Sequence, residues 1–265
     1  MSEAKGVREV GYFDSAGAGQ IMVDGNTAYI GHITGPEGTT IVDVSDPKKP
    51  KMLAQLTIAQ GLHSHKAIGK NGIMLINHEV DPAVKVPEIR NLNGGLGIYN
   101  VSDPAKPKLI TFWACKGHGV HRFTFDGRYA YISPTMEGFT TNIVVILDLK
   151  DPAKPEEVGR WWMPGQKEGE LPAKRDISFH GPAIISEDGK TAYAGYGLSV
   201  VILDISDISQ PRLLGELPMS PPSGGAEGFR IPAHDVLPIP GKDMLFFHGE
   251  AVGGGDEPDG PKACD

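Results

Sequence analysis

Apolar positions in this chain come in short β-branched runs, and four of the runs halt at the same polar turn. Residues 41–50 read IVDVSDPKKP, 98–107 read IYNVSDPAKP, 146–155 read ILDLKDPAKP and 202–211 read ILDISDISQP. They recur at an offset of roughly 50 residues, a period that marks a propeller or a solenoid. Each run is too short for a helix and rich in β-branched residues, so it predicts a strand buried on both faces. Asp46, Asp103 and Asp151 can accept backbone hydrogen bonds in the turn, and the prolines after them fix φ and end the strand.

Further strands fall into order around each run. In the third repeat, residues 121–125 turn at Asp126-Gly127 into 129–133, where the Asp-Gly pair supplies the positive φ that a tight hairpin demands. Residues 142–149 and 156–162 supply two more strands, and the same pattern of four runs through 20–58, 65–114 and 180–217. No stretch sustains a helical period, so the chain is expected to be all-β. The Ile-x-Asp-Val-Ser-Asp-Pro-x-x-Pro signature resembles that of the LVIVD-repeat β-propellers, with Asn100 in place of the central Asp and Ile208 in place of the first Pro. The resemblance implies a propeller of four-stranded blades and says little of function, because such a fold hosts unrelated activities.

The two ends refine this expectation. Residues 7–13 look like a fourth strand with no blade before it, and residues 233–248 look like the first two strands of a fifth blade. A propeller closes by pairing its terminal strands. About four and a half blades in a single domain over residues 1–265, truncated at the C-terminus, is therefore expected; a five-bladed closure with one defective blade is the alternative.

Composition narrows the partners. A net charge of −8, with no Lys/Arg cluster interleaved with aromatics, argues against nucleic acid. There is no apolar run of membrane-spanning length and no signal-like start, so no membrane is expected and a cytoplasmic location is. Cys115 and Cys264 offer neither a disulfide framework nor a CxxC pair, and Cys115 reads as a small buried side chain.

Candidate chemistry lies in the histidines. Of nine, four stand where a first strand begins, His65, His121, His180 and His234. First strands line the channel of a propeller, so these imidazoles are expected to converge and hold a transition metal. Glu79, Glu137 or Glu250 would accept from the ligating rings. Imidazole ligation favours iron or copper, allows zinc or manganese, and disfavours magnesium and calcium, which prefer oxygen. Second strands return to the same rim, which nominates His78 beside His65, His248 beside His234 and Tyr196 beside His180 for proton transfer or coordination.

Three functions compete for this rim. The first is a metal-dependent oxidoreductase acting on a small molecule in the central channel. The second is a metal-dependent lyase or isomerase in which a free His abstracts a proton. The third is a propeller scaffold for a protein partner, its histidines retained by repeat duplication. Lys66, Arg122 and Arg175 flank the rim and read as solvated surface charges. His63 and His118 each precede a ring member by two residues, and the insert at 81–93 is long enough to cover the channel mouth.

Overall fold

The computed structural model describes residues 6–33, 35–80, 94–115, 117–172, 177–219 and 229–251, with only the backbone for 229–232, 250 and 251. Every element among them is a β-strand. The insert at 81–93, Arg175, Cys264 and the side chain of Glu250 lie outside the described residues.

The repeat motif builds one turn four times. Lys48, Ala105, Ala153 and Ser209 donate their backbone N–H to the side chains of Asp46, Asp103, Asp151 and Asp207 at 3.0–3.1 Å. The next residue in each repeat donates to the carbonyl of the same Asp at 2.9–3.0 Å. Asp207 does this with Ile208 beside it, so the Asp, rather than the proline, sets the turn. Asn100 likewise accepts from Ser102 N–H at 2.9 Å, as Asp43 does from Ser45 and Asp204 from Ser206. An acceptor two residues before the donor is what the position requires, and its charge is dispensable.

A β-bulge also recurs at one register. Pairing slips by a residue between Ile41 and Val42, between Ile98 and Tyr99, between Ile146 and Leu147, and between Ile202 and Leu203. The extra residue falls on the outer strand each time, and it sharpens the local right-handed twist.

The described residues form two compact units. The first holds the antiparallel sheet β1 (Ala18–Asp24), β2 (Thr27–His32), β3 (Glu37–Asp43) and β4 (Lys51–Thr57). It also holds β5 (Leu62–His63), β6 (Ala67–Lys70), β7 (Ile73–Val80), β8 (Gly95–Asn100) and β9 (Lys108–Ala114), in which β5 and β6 both pair with β7. Its core packs Tyr29 and Ile41 of the first sheet on Ala67, Met74 and Ile76 of the second.

The second unit carries most of the sheet β10 (Val120–Phe125), β11 (Tyr129–Pro134), β12 (Val144–Asp148) and β13 (Glu156–Trp161). Next come β14 (Ile184–Ile185), β15 (Thr191–Gly195), β16 (Ser199–Asp204) and β17 (Arg212–Pro218), and then the pair β18 (Phe229–Pro238) and β19 (Leu245–Ala251). Its core joins Tyr131, Val144 and Ile146 to Phe179, Ala194, Tyr196 and Val201.

Two expectations are corrected here. Residues 7–13 form no strand: Val7 and Tyr12 are exposed, and the chain crosses the first repeat turn with Gly11 pressed on the Pro47 carbonyl. The ring histidines do not all open a strand either. His121 is the second residue of β10 and His234 lies inside β18, whereas His65 and His180 precede β6 and β14. Gly181-Pro182 interrupts the fourth sheet, since proline has no N–H to give the ladder, and β14 shrinks to two residues.

Candidate functional site

In the second unit, a file of imidazoles forms where three sheets begin. His121 and His180 face each other through their Nε2 atoms at 3.4 Å. The rings of His180 and His234 are 4.8 Å apart between centroids, and those of His234 and His248 are stacked at 5.7 Å.

Backbone contacts hold the file. His180 and Gly181 both donate N–H to the Gly195 carbonyl at 3.3 Å. A Cβ at Gly181 or Gly195 would fall 1.6 or 2.1 Å from the His234 carbonyl oxygen, so only glycine lets β18 approach this closely. His234 itself is 5% exposed.

Asp235 ties the end of the file together. One carboxylate oxygen, Oδ2, lies 2.8 Å from Nδ1 of His234 and 3.3 Å from Nε2 of His248. The contact to Nδ1 places the His234 proton on that nitrogen and leaves Nε2 as the lone-pair donor, an arrangement common for metal-bound histidine. His234, Asp235 and His248 form a group that could hold a metal ion. The His248 side chain is 50% exposed, so the file runs from a buried imidazole to solvent.

The first unit carries a separate group in which His65 lies with His63 and Glu79. His63 Nε2 is 2.8 Å from Glu79 Oε2, and the His63 and His65 rings meet edge to face at 5.1 Å. Asn77 faces His65 Nδ1 at 3.3 Å, accepts from Lys66 N–H and donates to the Val120 carbonyl.

Several sequence-nominated residues fall elsewhere. His78 does not join His65. It lies on the opposite face of β7 from Asn77 and Glu79, with its ring edge-on to Phe112 at 5.2 Å, and burial pushes its pKa down to about 4. Tyr196 is a core residue, 0% exposed: its hydroxyl donates to Gln166 Oε1 at 2.6 Å, its ring stacks on Phe179, and burial raises its pKa. Lys66 and Arg122 are 6% and 7% exposed, so they are buried cations and not solvated ones. Glu137 and His118 are exposed. Cys115 is buried, with its Sγ on the Gly94 carbonyl at 3.3 Å and its pKa raised by desolvation.

Asp235 was missed although it directly follows His234. Adjacent residues normally point to opposite faces, and the ladder irregularity between Ile231 and Asp235 lets these two side chains meet.

Comparison with known proteins agrees with this architecture. Residues 16–57, 124–162 and 185–217 match the LVIVD repeat, and the unmatched second repeat is the one that carries the 81–93 insert. No curated protein matches the sequence. Among solved structures, a protein from Lactobacillus plantarum is similar at a TM-score of 0.60 and 13% identity, covering 84% of this chain and 61% of that one. A hypothetical selenium-binding protein from Sulfolobus tokodaii gives 0.59 and 13%, covering 83% of this chain and 54% of that one. The periplasmic gluconolactonase of Pseudomonas aeruginosa gives 0.53 and 13%, with 84% and 67% covered. At such identities the likeness shows a fold, the all-β propeller of four-stranded blades. The chain spans about three-fifths of the length of the first of these structures.

Proposed function

We propose that this LVIVD-repeat protein binds a transition metal at the imidazole file of its second unit, where the Nε2 atoms of His121 and His180 face each other and His234, Asp235 and His248 form the adjoining group, and uses it in redox chemistry on a small molecule. One observation carries the reading, the 3.4 Å approach of two imidazole nitrogens. That distance is long for a hydrogen bond between rings. Metal–nitrogen bonds of about 2.0–2.1 Å opened to a tetrahedral angle place two donors about 3.3–3.4 Å apart, which is what the pair shows.

A donor set of neutral imidazoles favours iron or copper, with zinc or manganese behind them, over magnesium and calcium. Iron or copper held there would supply one-electron chemistry, and any of these ions would offer a binding position for a substrate oxygen or sulfur. The chain's own residues do the rest. Asp235 orients His234 and stabilises its imidazole in the ligating tautomer. His248, on the solvent side of the same carboxylate, can exchange protons with an incoming molecule.

The pairing of His248 with Asp235 also supports a second reading, in which the metal polarises the substrate and His248 acts as a general base, as in a lyase or isomerase. Elemental analysis by plasma mass spectrometry of anaerobically purified protein separates these readings. Iron or copper at stoichiometric level, lost in His180→Ala, is expected for the oxidoreductase; zinc or manganese lost in the same variant would favour the acid–base alternative. Asp235→Asn should retain the fold and weaken metal affinity about 10–100-fold. Absence of stoichiometric metal after reconstitution would overturn both and leave the propeller as a scaffold for a protein partner.

A further inference from the structure

The first unit holds a cluster that the proposed redox centre does not use. We propose that His63, His65 and Glu79 form an independent site for a borderline divalent cation, iron(II) or zinc, of the two-histidine, one-carboxylate kind.

The sheet builds the donor set in advance. His63 and Glu79 are directly opposed partners in the β5–β7 ladder, and His65 follows His63 by two residues. The pairing slips by a residue between His63, opposite Glu79, and Ala67, opposite Ile76, and the two histidine rings meet edge to face at 5.1 Å beside the carboxylate. One donor atom from each residue lies within 4.8 Å of the other two. The 2.8 Å separation of His63 Nε2 and Glu79 Oε2 is close to the roughly 3.0 Å edge between neighbouring donors when bonds of about 2.1 Å meet at a right angle. Replacing the shared proton by a cation therefore asks little movement of that pair.

The position of Glu79 is fixed from behind. Glu79 forms a β-bridge with Gly119, whose φ is +132°. A Cβ at Gly119 would meet the His78 carbonyl oxygen at 2.2 Å, so glycine alone allows this loop to clamp the end of β7. Val80 N–H donates to the His118 carbonyl at 2.7 Å on the same loop. The side chains of His63 and Glu79 are 14% and 17% exposed, sheltered yet open to an ion from solution.

Donor chemistry selects the cation. Two nitrogens and one oxygen suit iron(II) or zinc, and calcium would need a fuller oxygen shell. Three protein donors also leave coordination positions for water or a substrate oxygen. Asn77, beside His65 Nδ1, is the partner that must yield a hydrogen bond as the ring presents a lone pair.

The test is equilibrium dialysis of the full chain against cobalt(II), a spectroscopic stand-in for iron(II) and zinc, with far-UV circular dichroism as the fold control. Wild type is expected to bind two equivalents. Glu79→Gln and His63→Gln should each lose one equivalent and its visible absorption, while His180→Ala loses the other. Full binding by both Glu79→Gln and His63→Gln would overturn the site. A single equivalent lost alike in Glu79→Gln and His180→Ala would overturn its independence. If His180→Ala loses nothing while Glu79→Gln does, this site stands and the redox centre of the second unit falls.

Discussion

Removing the Tyr196 hydroxyl should cost stability and leave metal binding intact. The phenol is fully buried between Phe179, stacked at 5.8 Å, and Trp161, edge-on at 5.3 Å, and a phenylalanine would keep both contacts. Its hydroxyl donates to Gln166 Oε1, which also accepts from Met163 N–H at 2.8 Å, so the amide oxygen keeps a partner after Tyr196→Phe. The loss is then one net hydrogen bond, about 0.5–1.5 kcal/mol. Gln166→Leu is different. Leucine removes the oxygen that accepts from both the Tyr196 hydroxyl and the Met163 N–H, stranding two donors in the core, and it also removes the amide nitrogen that donates to Thr141 Oγ1 at 2.7 Å and to the Asn142 carbonyl at 2.9 Å. At about 1–3 kcal/mol for each stranded donor, the variant should lose roughly 2–6 kcal/mol. Tyr196→Phe in the Gln166→Leu background should then recover part of that loss, because one stranded donor is gone. Urea unfolding followed by tryptophan fluorescence measures all three variants. Strict additivity would refute the network, and a Tyr196→Phe protein that unfolds like wild type but has lost its metal would return the hydroxyl to the site.

Two other perturbations probe the frame of the site and of the repeat. Gly195→Ala should displace β18 from the His180 loop, since its Cβ would meet the His234 carbonyl oxygen at 2.1 Å. A loss of about 1–3 kcal/mol in urea unfolding, with weakened metal binding, is expected, and a neutral substitution would contradict the close approach. The turn carboxylates respond to acid. Asp43 is held below the ordinary carboxylate range first by the Ser45 side chain, Asp204 by the Ser206 N–H and Asp207 by the Ser209 side chain. Folded values below unfolded ones mean that the unfolded chain binds more protons. The contribution is thus fully present above about pH 4 and is lost as pH falls through the depressed values. Asp43→Asn combined with Asp204→Asn should flatten the acid limb of stability, as Asn100 already satisfies the same turn without charge. An unchanged limb would place the acid sensitivity elsewhere.

The sequence made the repeat legible because its turns are local: an Asp, its acceptor oxygen and the next few N–H groups lie within five residues. It also showed that histidines recur at one register, and the structure brings His121, His180 and His234 into one file. The second strands lie within three residues of the bounds the pattern predicts, but the faces their side chains take differ from it. The end of β7 does return to His65, but side chains alternate, so Asn77 and Glu79 face it and His78 faces away. In β15, Ala192 and Ala194 enter the core, and Tyr196 just beyond follows that parity, while Gly195 meets His234. His248 was placed correctly because it pairs directly with Asp235, beside His234. A contact of that kind depends on ladder register across strands, which hydrophobic pattern alone does not specify.

The bulge after the isoleucine of each repeat bears on how a chain of near-copies avoids confusing them. Four hairpins with nearly the same sequence could exchange outer strands during folding, each partner offering apolar side chains of similar size. Leu53, Ile110, Val158 and Leu214 are the residues passed over where the outer strands slip. A strand arriving from a distant repeat would have to reproduce that slip without the short Asp-anchored turn that feeds it. The local strand arrives already tethered a few residues away, at a loop-closure entropy far below that of a rival from another repeat. Fidelity of pairing is thereby written into the connection, which leaves the far ends of the strands free to differ from one repeat to the next.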